Sequence, residues 1–155
     1  MNLPIDEAYS VELAQQIKSK AKNPFDNAYQ AALVIQGATY VQGFVVLAGQ
    51  MPQLIEHAWL EVGDRLVDPT FPHFNRLADQ LFYFEAQRLS VKKLKAAVEE
   101  AQEDYPDDPP LPIYGSQPYE YYGDLMLGGK EYQAAFEAAE VKQQELGQAS
   151  QSELN

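Results

Sequence analysis

The residues with the most chemical character lie between His57 and Thr70, in the string HAWLEVGDRLVDPT. On a strand, His57 would share a face with Trp59, and a neighbouring strand could set Asp68 beside the imidazole ring. A histidine oriented by a carboxylate is the pair that general-base catalysis requires, because the acid fixes the ring tautomer and stabilises the imidazolium form. The same pair also satisfies two half-buried polar groups in a purely structural role. The spacing alone leaves both interpretations open.

Two other patterns that suggest ligand sites are weak. His57, Asp68 and His73 are two histidines and one acid at uneven spacing, which is not a recognised metal-binding pattern, so we predict no metal site and no cofactor. Gly128-Gly129-Lys130-Glu131 lacks the glycine spacing and the hydroxyl residue after the lysine that a phosphate-binding loop needs. We interpret it as the start of a helix.

The elements that position these residues follow from hydrophobic spacing and from helix-breaking residues. Helices are predicted from Asp6 to about Ala21, from Pro24 to about Ile35, from Val91 to about Gln102 and from Lys130 to about Leu146. Strands are predicted at 39–48, 55–62, 65–68 and 81–89. We therefore predict an α+β fold, in which an antiparallel sheet of about four strands packs against the Pro24 helix and further helices flank it.

Four short strings, in this order along the chain, resemble motifs of a known family. They are Pro24-Phe25-Asp26-Asn27-Ala28, Tyr40-Val41-Gln42-Gly43, His57-Ala58-Trp59 and Asp68-Pro69-Thr70. Over roughly residues 20–90 the chain resembles small bacterial and phage proteins related to the transglutaminase-like branch of the papain-like fold. The resemblance implies a papain-like or transglutaminase-like core with a Cys-His-Asp triad, in which His57 is the base and Asp68 orients it.

Pro24 occupies the position that the resemblance assigns to the nucleophile, and the chain contains no cysteine. Proline has neither a nucleophilic side chain nor a backbone N–H that could stabilise an oxyanion. The available hydroxyl groups, none of which lies in a nucleophile motif, belong to Thr39, Thr70, Ser90 and Ser116. We expect His57 and Asp68 to be vestiges of a triad in an inactive protein. The alternative is a hydrolase or acyltransferase that uses this pair with a nucleophile other than cysteine.

The negative charge of the chain is concentrated towards its C-terminal end. Residues 1–95 carry nine Lys and Arg against ten Asp and Glu, whereas residues 96–155 carry two against thirteen, and the net charge is −12. Such a chain is not expected to bind nucleic acid or anionic lipid directly. It has no apolar run long enough to span a membrane and no signal-like N-terminal sequence, so we predict a cytoplasmic protein.

The sequence divides into a core at 1–104, an acidic Pro/Tyr-rich segment at 105–129, a helix at 130–147 and a disordered tail at 148–155. Five of the ten prolines and five of the ten tyrosines fall between Tyr105 and Tyr122. This composition indicates a polyproline-like linker or an ordered aromatic loop, rather than a helix or a strand. Lys92, Lys93 and Lys95 are expected to be solvated or to pair with the acidic segment.

Acids interspersed with tyrosines are typical of a surface that recognises a basic protein, although a solvated linker is the simpler interpretation. We predict that the partner-binding residues are Asp104, Tyr105, Asp107, Asp108, Tyr114, Tyr119, Tyr121 and Tyr122. The expected function is that of a protein-binding or adaptor module with a basic protein partner. A further alternative is an acidic mimic of nucleic acid that inhibits a nucleic-acid-binding protein.

Overall fold

The structure, a computed structural model, describes residues 3–154. Its helices are α1 (Glu7–Ile17), α2 (Pro24–Val34), α3 (Phe71–Phe74), α4 (Val91–Asp104) and α5 (Lys130–Leu154). Its strands are β1 (Thr39–Leu47), β2 (Gln53–Val62), β3 (Arg65–Val67), β4 (Leu81–Ser90), β5 (Tyr119–Tyr122) and β6 (Leu125–Gly128). A short 3₁₀ turn at Ala78–Gln80 leads into β4.

Four strands form one antiparallel sheet in the order β3-β2-β1-β4. The central strand β1 pairs along its whole length with β2 on one side and with β4 on the other. Between β2 and β3 the chain reverses at Gly63, whose φ of +62° is a conformation that glycine adopts without a steric penalty. The predicted α+β class and the four-stranded antiparallel sheet are confirmed.

One face of the sheet is covered by helices. Ala28 and Ala31 of α2 pack in a cluster with Ala58 and Leu60 of β2, and α1 and α4 join this cluster. Small side chains on α2 allow its backbone to approach the strands closely. Further along the same face, α5 and the β5–β6 hairpin cover Phe44 of β1.

The opposite face carries a separate core. Val41, Trp59 and Tyr83 form its centre, and Phe71 of α3 packs against them. Successive residues of a strand point to opposite faces. The side chains of His57 and Trp59 therefore project on the face away from the main body of α2, which packs against Ala58 and Leu60.

The structure differs from the sequence prediction in the C-terminal third. Residues 119–128, inside the segment expected to lack strands, form the β5–β6 hairpin. Helix α5 does not end before Gly147 but continues to Leu154, whereas a disordered tail was expected from residue 148; Asn155 lies outside the described residues. A glycine within a helix costs only about 1 kcal/mol relative to alanine, and its Gln, Ala and Glu neighbours favour helix.

Candidate functional site

The structure brings His57 and Asp68 into contact. His57 lies in β2, and Asp68 directly follows β3, which pairs with β2. The imidazole Nε2 lies 2.7 Å from Asp68 Oδ2, and both side chains are fully buried. Because an ionised carboxylate only accepts hydrogen bonds, Nε2 carries the proton in this bond. The predicted juxtaposition of the two residues is therefore present in the fold.

The Asp68 carboxylate receives two further hydrogen bonds. The Tyr83 hydroxyl donates to Oδ2 at 2.7 Å, and the Thr70 backbone N–H donates to Oδ1 at 2.8 Å. Burial, together with the negative charge of Asp68, raises the pKa of Tyr83 well above its usual value, so the phenol remains a donor. In addition, Asn27 Nδ2 of α2 donates to the Thr70 hydroxyl at 2.9 Å. Hydrogen bonds thus connect β2, β4 and α2 around this one carboxylate.

The second imidazole nitrogen, Nδ1, has no hydrogen-bond partner among residues 3–154. The ring is surrounded by Trp59, Phe74 and Tyr83, with ring centroids between 5.2 and 6.2 Å away. A histidine acting as a general base uses its free nitrogen to take a proton from the nucleophile or from water. Within the described part of the chain, no hydroxyl group stands in that position, and the fully buried ring is closed to solvent.

Pro24 begins α2 and lies at the surface. It lines a groove of about 460 Å³ with Phe25, Leu125 and the prolines around Leu111. Its pyrrolidine ring offers no polar atom to the imidazole. The structure therefore joins two of the three positions of the predicted triad by hydrogen bonds, and the third carries no group that could act as a nucleophile.

A larger groove of about 710 Å³ separates the C-terminal half of α4 from the segment that follows it. We call it the acidic groove. Its lining residues are Ala97, Glu100, Ala101, Asp104, Tyr105, residues 108–114 and Leu125. Glu100, Asp104 and Asp108 form no hydrogen bond or ion pair through their side chains within residues 3–154. The groove is therefore lined by apolar side chains and by three carboxylates that no side chain of the described residues compensates.

The predicted partner-binding tyrosines are divided by the fold. Tyr105 and Tyr114 line the acidic groove and are 67% and 60% exposed. Tyr119 and Tyr121 are also exposed but do not line it, and the same is true of Asp107. Tyr122 is only 4% exposed, because it packs against Phe44 and Phe136. Tyr122 is therefore a core residue and is removed from the predicted contact surface.

Gln42, which is not among the site residues predicted from the sequence, attaches the Pro/Tyr-rich segment to the centre of the sheet. Its Oε1 accepts from the Tyr40 hydroxyl and from the Ile113 N–H, both at 2.8 Å. Its Nε2 donates to the Ile113 carbonyl at 2.9 Å and to the Tyr132 hydroxyl at 2.6 Å. All hydrogen-bonding positions of this buried amide are occupied. The sequence signal is a polar residue within the apolar strand TYVQGFVV.

Within the described residues, no group of three or more histidine and acidic side chains is arranged to hold a metal ion. No helix within residues 3–154 is both long enough and apolar enough to cross a membrane.

The chain was compared with protein-family models, with curated proteins and with solved structures, and none of them matches it. The similarity to transglutaminase-like proteins consequently remains an expectation based on the four motifs.

Proposed function

We propose that this protein is a catalytically inactive scaffold of the papain-like or transglutaminase-like type that binds a basic segment of a partner protein in the acidic groove. The observation that carries the proposal is the groove itself. It is lined by apolar side chains, by two exposed tyrosines and by three carboxylates that have no ion partner among the described residues. Aromatic anchors with a charged rim are typical of protein-binding surfaces, and the charge selects a cationic partner.

The environment of His57 supports the inactive part of the proposal. Catalysis would need an accessible base with a nucleophile beside its free nitrogen, but the imidazole is fully buried and Nδ1 has no partner in the part of the chain that the structure describes. Asp68, meanwhile, accepts hydrogen bonds from three different parts of the chain. This is the arrangement of a structural polar cluster, in which each hydrogen bond stabilises the packing of the strands.

The charges on α4 support the binding part. Lys92 and Lys93 lie in its first turn, and Glu103 and Asp104 in its last turn, which is the reverse of what the helix dipole favours. Lys92, Lys93 and Lys95 form no ion pair among the described residues, so these lysines do not compensate the acids. Residues that reduce stability in this way are commonly retained for function. We expect Asp104→Asn to raise the free energy of unfolding by about 0.3–1 kcal/mol.

The binding proposal is tested with two full-length variants of equal charge. The groove variant carries Glu100→Gln, Asp104→Asn and Asp108→Asn, and the control variant carries Glu12→Gln, Asp64→Asn and Glu140→Gln at exposed positions elsewhere. Each removes three negative charges and changes the net charge from −12 to −9. Immobilised wild type and control should retain the same basic protein, and the groove variant should lose it.

The affinity for the purified basic protein, measured by calorimetry at low and high salt, should fall with salt for wild type and control. Equal affinity of all three proteins for the partner would contradict the proposal. Displacement of the partner by added DNA or RNA would instead favour the nucleic-acid mimic.

The inactive scaffold is tested separately with His57→Ala and an activated acyl ester. Wild type and variant should hydrolyse the ester at the same background rate, and the variant should be less stable. A rate that depends on His57 in a variant of unchanged stability would show that the pair is catalytic.

A further inference from the structure

The acidic groove combines two kinds of side chain that together distinguish one cation from another. Glu100 and Asp104 are four positions apart on α4, so their carboxylates lie on one face of the helix, and Asp108 in the turn that follows α4 also lines the groove. Tyr105 and Tyr114 line the same groove with most of their surface exposed. Among the described residues that line the groove there is no lysine or arginine. An occupant therefore meets carboxylates and aromatic rings at the same time.

We infer that the acidic groove recognises arginine in preference to lysine, within an extended and otherwise apolar segment of the partner; this inference rests on the proposed function. A guanidinium group is planar, is more weakly hydrated than an ammonium group and stacks on aromatic faces. A lysine ammonium is a compact, strongly hydrated charge, and a half-open groove gives it little compensation for lost water. The three carboxylates attract either cation, but only the tyrosines favour the planar one.

The apolar lining of the groove determines which residues should flank the arginine of the ligand. This lining comes from Ala97 and Ala101 of α4, from Leu111 and Ile113 of the following segment, and from Leu125 of β6. These side chains would pack against the methylene groups of arginine and against neighbouring apolar residues. The Gln42 amide holds the Ile113 backbone to the sheet, so the wall that carries Tyr114 is fixed before the ligand arrives. Such preorganisation reduces the entropy lost on binding.

The inference is tested with synthetic peptides on the full-length protein. The probe is the acetylated, amidated peptide Ala-Leu-Arg-Pro-Leu-Arg-Ala, and its counterparts carry lysine or neutral citrulline in place of both arginines. We expect the arginine peptide to bind about five- to tenfold more tightly than the lysine peptide, and the citrulline peptide to lose most of the affinity. Equal binding of the arginine and lysine peptides would overturn the inference.

Variants separate stacking from charge. Replacing Tyr105 and Tyr114 by leucine should abolish the preference for arginine and leave the weaker, salt-sensitive attraction of both cationic peptides. Tyr121→Leu is the matched control, because Tyr121 is 72% exposed and lies outside the groove. A preference that survives the double replacement, or that Tyr121→Leu also removes, would contradict a role for the groove tyrosines.

The failure of this inference can be distinguished from failure of the proposed function. A partner that is lost only with the groove variant, but binds equally well after its arginines are changed to lysine, refutes the arginine preference and leaves the binding site intact. If the partner and the peptides bind the groove variant as tightly as they bind wild type, both the arginine preference and the proposed binding site are refuted. Arg65 is exposed and forms no side-chain hydrogen bond or ion pair among residues 3–154, so a second copy of the chain also offers an arginine to the groove. Sedimentation therefore measures whether the protein self-associates. Self-association that the groove variant abolishes would replace the partner protein with a second copy of the chain.

Discussion

The structural role of the His57–Asp68 pair can be measured with Asp68→Ala. The substitution removes the acceptor of the His57 imidazole, the Tyr83 hydroxyl and the Thr70 N–H. All of these groups are buried, so each would be left without its partner. Removing one member of a buried pair costs about 3–5 kcal/mol, because the other groups stay buried and unpaired. For a chain of this size, that loss lowers Tm by roughly 6–20 °C.

The assay is urea unfolding followed by the fluorescence of Trp59, which lies in the same core as the pair. Asp64→Ala, in the exposed β2–β3 turn, is the matched control and should change the free energy of unfolding by no more than about 0.5 kcal/mol. Tyr83→Phe removes one donor to the carboxylate and should cost about 1.5–3 kcal/mol. The variant that carries both substitutions should be more stable than the sum of the two single losses predicts. With Tyr83→Phe present, Asp68→Ala no longer leaves a buried Tyr83 hydroxyl without its acceptor.

A free energy of unfolding for Asp68→Ala within about 1 kcal/mol of the wild-type value, together with additivity of the two substitutions, would refute a structural role for the pair. Such a result would mean that the pair contributes little to the fold. A role in chemistry would then become the better explanation of a buried histidine and aspartate.

Three further predictions concern the sheet. Burial, and to a lesser extent the Asp124 carboxylate, raises the pKa of Glu56, so ionisation of this side chain opposes folding. Glu56→Gln should therefore stabilise the protein at pH 7. In urea unfolding at a series of pH values, the difference in unfolding free energy between variant and wild type should disappear below the ordinary glutamate pKa of about 4.3. A Cβ at Gly43 would collide with the Phe84 carbonyl oxygen, so Gly43→Ala should cost about 1–3 kcal/mol, whereas Gly147→Ala, with open space around it, should be neutral or stabilising in the same assay. Gln42→Ala should accelerate hydrogen exchange at the amide of residue 113 at least tenfold, since the loss of about 1.4 kcal/mol of local stability suffices; unchanged protection would show that other contacts hold the segment.

The predicted elements that agree with the structure are those whose signals are local. The Asn23-Pro24 start of α2 and the Ser90 start of α4 lie at the expected residues, and the Ser90 hydroxyl accepts from the Lys93 N–H at 3.2 Å. The Gly63-Asp64 turn forces β2 and β3 to pair as neighbours, which is why the approach of Asp68 to His57 could be expected from the sequence. Alternation and turn residues act over a few positions, so one sequence is enough to read them.

The contacts that give the molecule its candidate site are not local. Gln42 bonds Ile113, 71 residues away, and the Tyr83 hydroxyl that bonds Asp68 comes from β4, on the other side of the sheet. The burial of Tyr122 depends on α5 packing over the β5–β6 hairpin, although its neighbour Tyr121 has the same composition around it and remains exposed.

The sequence by itself therefore determined the α+β class, the adjacency of His57 and Asp68, the absence of any cysteine and the acidic character of the C-terminal third. Only the tertiary structure decided that the imidazole is closed to solvent and that Glu100, Asp104 and Asp108 border one groove. The physical reason is that hydrophobic periodicity specifies which side of an element is buried, but not which distant element covers it. Which side chains are exposed, and which distant charges lie close together, depends on which element packs over that side.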